Sequence, residues 1–527
     1  MKIYTEITDI TTKKGVQIYM TKAYLGIELG STRIKAVAID EKHMPISTGD
    51  YTWASSYENG IWTYELQEAI EGLKTALSGV ENRENIEAMG ISAMMHGYLA
   101  FDKDWNLLVP FRTWQNTITG QAAEELTAAF GFNIPQRWSI AHLYQAVLSG
   151  EEHVRKIAHI TTLAGYIHYL LTGVNAIGIG EASGMFPIDS SINNYDEKML
   201  AAFEEKMAAY DYAWNIREIL PEVLMAGKEA GKLTEKGAEI LGGLLKPGIP
   251  FAPAEGDAGT GMTATNAVAE RTGNVSAGTS IFSMVVLEKM LSRVYPEIDM
   301  VTTPAGRPVA MVHCNNCTND MNAWVGILKE TLQLFGKEVD TGELYTKLYQ
   351  KSLEGDLSCG DITVYNYMAG EPVTGFDEGR PIVLRSPNAD FSLANFLRAQ
   401  LYSTLATLAA GMVILEEENV AIDKLMGHGG LFKTPVVGQK YLAAATNSPV
   451  SVMETAGEGG PYGMAHLAAF LKEGNGRSLD EYLEKEVFAD AKETTLVPDP
   501  ADAEGFRTYL TRFKKGLPVM QAAISNL

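Results

Sequence analysis

The chain has 527 residues, 46% of them apolar and 20% charged, so it can bury a sizeable core and is not disordered. Its 65 acidic residues against 43 basic ones leave a formal charge of −22, which argues against nucleic acid or an anionic membrane as main partner, because both favour a basic face. Three cysteines are too few for a disulfide framework and point to a reducing, cytoplasmic setting. The length suggests roughly two to four domains.

Residues 1–22 contain charges and no long apolar run, so they read as a short N-terminal extension and not as a signal peptide. Tyr24 to Asp40 reads YLGIELGSTRIKAVAID, two β-rich runs flanking a Gly-Ser-Thr turn, which is a hairpin pattern. Ile86 to Asp102 holds two more strand-like runs with Met95-His96-Gly97 between them. Helical periodicity covers Gln121–Phe130, His142–Leu148 and Leu163–Leu171, followed by a Gly-rich loop from Ile177 to Gly184. Residues 196–245 read as helical with a break at Pro221. Pro247, Gly248, Pro250 and Pro253 then punctuate the chain, as expected where one half passes to the next.

Asn274 to Val286, NVSAGTSIFSMVV, repeats the pattern of strand, Gly-Thr-Ser turn and strand. Two such hairpins, each opening one half, suggest an internal duplication. A long helix is expected from about Leu393 to Glu417. Its apolar stretch from Leu401 to Leu415 is too short to span a bilayer and reads as a core helix. Gly427–Gly430 and Gly457–Gly463 are Gly-rich turns, the second opening a helix.

A Gly-Ser-Thr or Gly-Thr-Ser turn presents successive backbone N–H groups and hydroxyls, a concavity that binds phosphate without net positive charge. Gly30, Ser31 and Thr32, and Gly278, Thr279 and Ser280, are therefore candidate phosphate cradles, against the plainer reading of two ordinary hairpin turns. Gly278 is expected to be glycine because a side chain would crowd the turn. Asp257, in PAEGDAGTGM, is a carboxylate in a Gly-flanked loop between the halves. It suits proton acceptance from an attacking hydroxyl, or equally a helix N-cap. Gly259, Gly261 and Ala264 fit G-x-G-x-x-A, but the preceding FAPAEGD is a poor strand for a dinucleotide site. No G-x-x-x-x-G-K-[ST] is present. His313, Cys314, Cys317 and the distant Cys359 could complete a zinc site only if a loop brought Cys359 back, so they read as free thiols.

In this order and spacing the motifs resemble the FGGY carbohydrate kinases, closest to the xylulokinase-like branch, over nearly everything from Tyr24 onward. Gly26-Ile27-Glu28-Leu29-Gly30-Ser31-Thr32 is similar to the family's opening phosphate hairpin, and Met95-His96-Gly97 to its sugar-contacting segment. Thr172-Gly173 with Glu181-Ala182-Ser183-Gly184 resembles its helix end and small-residue loop. Gly256-Asp257 resembles its catalytic loop, and Gly278-Thr279-Ser280 its second phosphate turn. Gly429-Gly430 with Lys433-Thr434-Pro435 resembles its adenosine-side turn. Gly459-Gly460-Pro461-Tyr462-Gly463 and Pro498-Asp499-Pro500 are further landmarks.

The resemblance implies an α/β fold of two ribonuclease-H-like domains of the actin and hexokinase ATPase type, flanking an interdomain cleft. The domains are placed at residues 23–255 and 256–490, with 491–527 packed on the kinase core. It implies transfer of the ATP γ-phosphoryl to a primary hydroxyl of a small ketose such as xylulose. Asp257 would be the base, and Glu28 would hold Mg2+ through water with help from Asp257. Met95, His96, Trp114 and Asn116 would contact the sugar, and the Gly turns would hold ATP. The expected partners are ATP and a sugar, with no nucleic acid and no membrane; a homodimer is compatible with the reading.

The family usually has Asp where this chain has Glu28, often Asn at Ala258, Trp-x-Asp followed by Arg where this chain has Trp114-Gln115-Asn116-Thr117-Ile118, and Lys near His142. These departures leave a sugar or nucleotide sensor on the same fold as the alternative. An actin-like filament protein is disfavoured by Met95-His96.

Overall fold

Two apolar runs folded back across a glycine turn open each half of the chain, and both halves build outward from that hairpin. In the computed structural model, which describes residues 22–453 and 459–527, the first hairpin is β1 (Ala23–Leu29) with β2 (Arg33–Asp40), paired from Ala23↔Asp40 to Leu29↔Ile34. β3 (Pro45–Thr52) joins β2 antiparallel. Its residues alternate between half-buried and exposed, the pattern of an edge strand. On the other side β1 runs parallel to β4 (Ile86–Ala93), and β4 runs parallel to the two-residue β5 (Glu255–Gly256).

The second hairpin is β6 (Thr272–Ala277) with β7 (Ile281–Val286). Strand β8 (Asp299–Thr302) pairs antiparallel with β9 (Pro308–Cys314), and β9 pairs antiparallel with β7. Strand β10 (Lys424–His428) runs parallel to β6, and β11 (Val450–Met453) parallel to β10. β12 (Glu493–Leu496) closes the far edge. The first sheet thus runs β3-β2-β1-β4-β5, and the core of the second runs β9-β7-β6-β10-β11, each with its second strand alone reversed. This shared order is the ribonuclease-H-like topology, repeated, and the two hairpins are its equivalent openings.

Each sheet's fifth strand feeds a helix. Helix Asp257–Ala264 follows β5, and helix Gly460–Glu473 comes after β11. The two helices pack backbone to backbone, since a Cβ on Gly463 would lie 1.9 Å from the Thr260 carbonyl oxygen. The later helix also lies against the first sheet: a Cβ on Gly26 would lie 2.0 Å from the Pro461 oxygen, and one on Gly90 would meet the Met464 side chain. Glycine at positions 26 and 463 is what lets a helix sit this close to a strand and to its neighbour.

Helix Leu393–Glu417 is long and apolar enough to cross a membrane by length and composition, but 78% of its most apolar window is buried inside the protein. Helix Pro500–Asn526 is capped by Asp499, whose carboxylate accepts from Ala501 N at 2.9 Å and Asp502 N at 3.2 Å. Its Tyr509 and Phe513 pack on Tyr402 and Tyr365 of the second half.

Three local expectations change. Residues 196–245 form helix Glu197–Met207, the short turn Ile216–Ile219, strand Glu222–Leu224 and helix Glu235–Ile240, because Pro221 and the left-handed Gly227, Gly231, Gly242 and Gly243 interrupt the helical period. Ile177–Gly184 is no open loop: Ala176–Gly178 is a strand paired with Glu222–Leu224, and Ile179–Ala182 is one buried helical turn. The run after Met95-His96-Gly97, Leu99–Phe101, pairs with His159–Thr161 and not with β4. Residues 1–21 of the expected extension, and residues 454–458, which take in the first two of the second Gly-rich turn, lie outside the described residues.

Candidate active site

Asp257 is the first residue of its helix, and the cap position belongs to Gly256, whose backbone is extended. The Asp257 carboxylate accepts a hydrogen bond from the Met95 N–H at 3.1 Å. Burial pushes its carboxyl up to about 6, against the pull of the Met95, Ala258 and Asp257 amides. The acid is therefore held at the helix N-terminus beside the segment that carries His96.

Glu28 stands near the end of β1, cross-strand from Lys35. Its Oε2 has no hydrogen-bond partner among the described residues and presses on the Gly460 turn, where a Cβ would lie 1.5 Å away. Burial first, then the charge of Asp257, pushes its carboxyl up to about 8, while Lys35 opposes. Two acids, half-buried Glu28 with an unpartnered oxygen and solvent-facing Asp257 whose charge raises the Glu28 carboxyl, fit a hard divalent cation with oxygen ligands.

The first turn is fixed by aromatic side chains. Trp53 Nε1 donates to the Gly30 oxygen at 2.7 Å, the Tyr64 hydroxyl donates to the Ser31 oxygen at 2.7 Å, and Trp114 Nε1 donates to Ser31 Oγ at 3.3 Å. In the second turn Gly278 N donates to the Ser280 oxygen at 2.9 Å, and Cys317 N donates to the Thr279 oxygen at 3.0 Å. The expectation that a side chain at 278 would crowd this turn is corrected. Gly278 lies outside the left-handed region, and a Cβ there would meet nothing within 4 Å. Gly429 is left-handed, with φ of 99°, and abuts the end of β6, so Gly429–Gly430 lies close to the second turn.

On the opposite side His96 is buried with a positive φ of 72°. Its Nδ1 lies 3.2 Å from the Gly184 oxygen, and its ring stacks on Trp138 at 6.2 Å. Burial and the nearby Arg137 charge hold its pKa well below the ordinary value, so the ring is neutral. Gly184, in the small-residue loop, leaves room for that ring: a Cβ there would lie 2.6 Å from Nδ1.

A cavity of about 200 Å³ joins these parts. Ser31, Met95, His96, Trp114, Asp257 and Ser280 line it, so one residue from each hairpin turn meets Asp257 and the Met95-His96 segment. Glu28, Gly30, Thr32, Gly278, Thr279, Gly429 and Gly430 are not among its lining residues. Asn116 is also absent from that lining. Its amide accepts from Trp62 N at 2.8 Å and donates to the Trp62 and Thr113 oxygens, which ties down the segment carrying Trp114.

Arg137, Ala258, Phe282, Met311 and His313 complete the wall. Among these, Ala258 stood out in the sequence as a departure from the family, and His313 had a signal, but as a metal-ligand candidate. Here its ring stacks on Phe282 at 6.3 Å, and Cys314, Cys317 and Cys359 are free and buried. Behind Asp257, Glu255 accepts from Glu181 N at 2.9 Å and Gly180 N at 3.3 Å, which pins the buried helical turn beneath Gly256.

Comparison with known proteins agrees with this geometry. Residues 23–263 match the N-terminal domain of the FGGY family of carbohydrate kinases, and residues 273–471 match its C-terminal domain. The xylulose kinase of Haemophilus influenzae is 22% identical over 452 residues, covering 82% of this chain and 87% of that protein. Two solved Lactobacillus acidophilus structures, a ligand-bound xylulose kinase and a gluconate kinase, share the fold with a TM-score of 0.77 each. They are 16% and 15% identical, and each comparison covers 94% of this chain and 97% of the other. Both domain matches fall in chain order on the two repeated sheets, and the chain belongs to the FGGY family of carbohydrate kinases.

Proposed function

We propose that this sugar kinase moves the γ-phosphoryl group of ATP to a primary hydroxyl of a small ketose, a pentulose such as xylulose or a near relative, with Asp257 as the base. The observation that carries this reading is the single cavity shared by Asp257, Met95-His96 and the serines of both hairpin turns. In the reaction the acceptor O–H proton passes to Asp257, the new O–P bond forms at the γ-phosphorus, and ADP leaves with the electrons of the broken P–O bond. The amides and hydroxyls at Gly30–Thr32 and Gly278–Ser280 hold phosphate oxygens, and Gly429–Gly430 borders the adenosine. Neutral His96 and the Trp114 indole orient the sugar, while Asn116 acts by holding the Trp114 segment.

Glu28 and Asp257 would hold Mg2+, which when bound neutralises charge on the phosphates. We divide the chain into working lobes at 23–255 and 256–490, with strand Glu255–Gly256 straddling that division and 491–527 packed on the second lobe. The three buried free thiols support a cytoplasmic setting. Nothing in the site favours the sensor alternative. ADP release measured with pentuloses, hexuloses, polyols and sugar acids tests the reading. Turnover is expected with at least one ketose, and stimulation by none of the panel overturns it.

A further inference from the structure

The likeness to a xylulose kinase and to a gluconate kinase is equally close, so overall fold does not say whether the acceptor is neutral or carries a carboxylate. The wall of the cavity does. Arg137 lines it beside His96 and His313, and the charge of Arg137 helps to depress both imidazoles. The Arg137 carbonyl oxygen accepts from Gly97 N at 3.1 Å, which locks this residue to the Met95-His96-Gly97 segment. A second cavity of about 380 Å³ adjoins the first and shares Trp114, Arg137 and His313 with it. Arg137 therefore stands at the junction between the two.

The guanidinium is not free to act as a bare cation. Its Nη2 forms an ion pair with Asp299 of β8, the one hydrogen bond its side chain makes among the described residues. The Asp299 side chain is only 10% exposed, and its Oδ1 also accepts from Asn133 Nδ2 at 3.1 Å. An unpaired arginine in such a wall would take a carboxylate through two parallel hydrogen bonds. Paired with a buried aspartate, it keeps N–H donors for hydroxyl and carbonyl oxygens while its charge is cancelled. A carboxylate entering here would be desolvated and would meet Asp299 with no surplus cation to receive it.

We infer that Arg137 and Asp299 together form a charge filter in the acceptor site: Arg137 is a specificity-determining residue that hydrogen-bonds the distal oxygens of a neutral ketose or polyol, and Asp299 removes the advantage a sugar acid of equal length would otherwise have. The inference rests on the acceptor site proposed above and adds the sign of charge that it admits.

The test is a ratio of affinities read by calorimetry on the full chain with matched pairs, xylulose against xylonate and fructose against gluconate. The parent is expected to bind the neutral member of a pair more tightly. Asp299→Asn keeps the acceptor oxygen for Asn133 but frees the Arg137 charge, and should move the ratio toward the acid by about tenfold or more, within the range of coupling between contacting groups. The double variant Asp299→Asn with Arg137→Gln should lose that gain, which a merely structural role would not produce. A parent that prefers the acid, or a folded Asp299→Asn variant with an unchanged ratio, overturns the inference. Failure of the kinase reading shows separately, as absence of sugar-stimulated ADP release while the binding ratio is still read.

Discussion

Replacing Asp257 by Asn should make the protein slower and more stable at once, and the two effects share one cause. In the folded chain burial holds the carboxyl at about 6, against an ordinary 3.8. Between those values the unfolded chain has released this proton and the folded chain has not, so parent stability falls as pH rises through the interval. Below about pH 4 both states hold the proton and the term vanishes; above about pH 6 it is fully expressed. Asp257 is open to solvent on the cavity side, so screening leaves only part of that shift as stability given up by keeping the carboxylate ionised. Asn does not titrate, so the gap between variant and parent should open from about pH 4 to about pH 6 and then level off. Loss of the charge also removes one of the influences that raise the Glu28 carboxyl.

Activity should move the other way. General-base loss costs about 10²–10⁴-fold in rate. The parent kcat/KM should rise with pH through about 6 and flatten, since the ionised base is the active form, while the variant should be low and flat across that range. Urea melts and ADP-release kinetics from about pH 5 to about pH 9 read both effects. A variant within a few-fold of parental rate, or one whose stability relative to the parent does not change with pH, refutes the assignment.

Glu28→Gln should lower the rate sharply and weaken its Mg2+ dependence, seen in magnesium titrations of the rate, whereas Glu28→Asp should not raise it because the longer carboxylate already reaches the Gly460 turn. Gly278→Val should leave melting temperature near parental, because its Cβ enters open space, yet weaken ATP binding in calorimetry while sugar binding without nucleotide is kept. Unchanged ATP affinity would mean that no phosphate passes there. Gly26→Ala should lower stability by about 1–3 kcal/mol or more, although an unstrained Gly→Ala change would stabilise, because the new Cβ meets the Pro461 oxygen at 2.0 Å; equal urea midpoints would contradict the close approach.

Both hairpins were legible because each is a local pattern, two apolar runs and a small-residue turn, and their equivalence extended to the order of two whole sheets. The middle of the first half was less legible, since glycines with left-handed backbone between residues 227 and 243 cut an apparently helical stretch into short pieces. The site divides in the same way. Asp257, Ser31 and Met95-His96 carry motif signals and line the cavity, whereas Arg137 carries none. Its meaning comes from Asp299, a partner far along the chain on another sheet, and from its anchoring to Gly97, neither of which a local window contains. Asn116 shows the converse, a residue in a sugar-like motif whose amide is occupied by Trp62 and Thr113.

The close seat of the Gly460 helix on Gly26 and Gly90 has a consequence during synthesis. The strand that emerges first is covered by a helix translated almost last. At typical elongation rates of about 5–20 residues per second, that interval is roughly 20 to 90 seconds. Through it, one face of the nascent first sheet, including the strand that bears Glu28, has no native cover. The half that opens the chain therefore cannot mature ahead of the half that follows it, and a ribosome stalled or a chain truncated before residue 460 should yield a sticky fragment and not a functional half-enzyme.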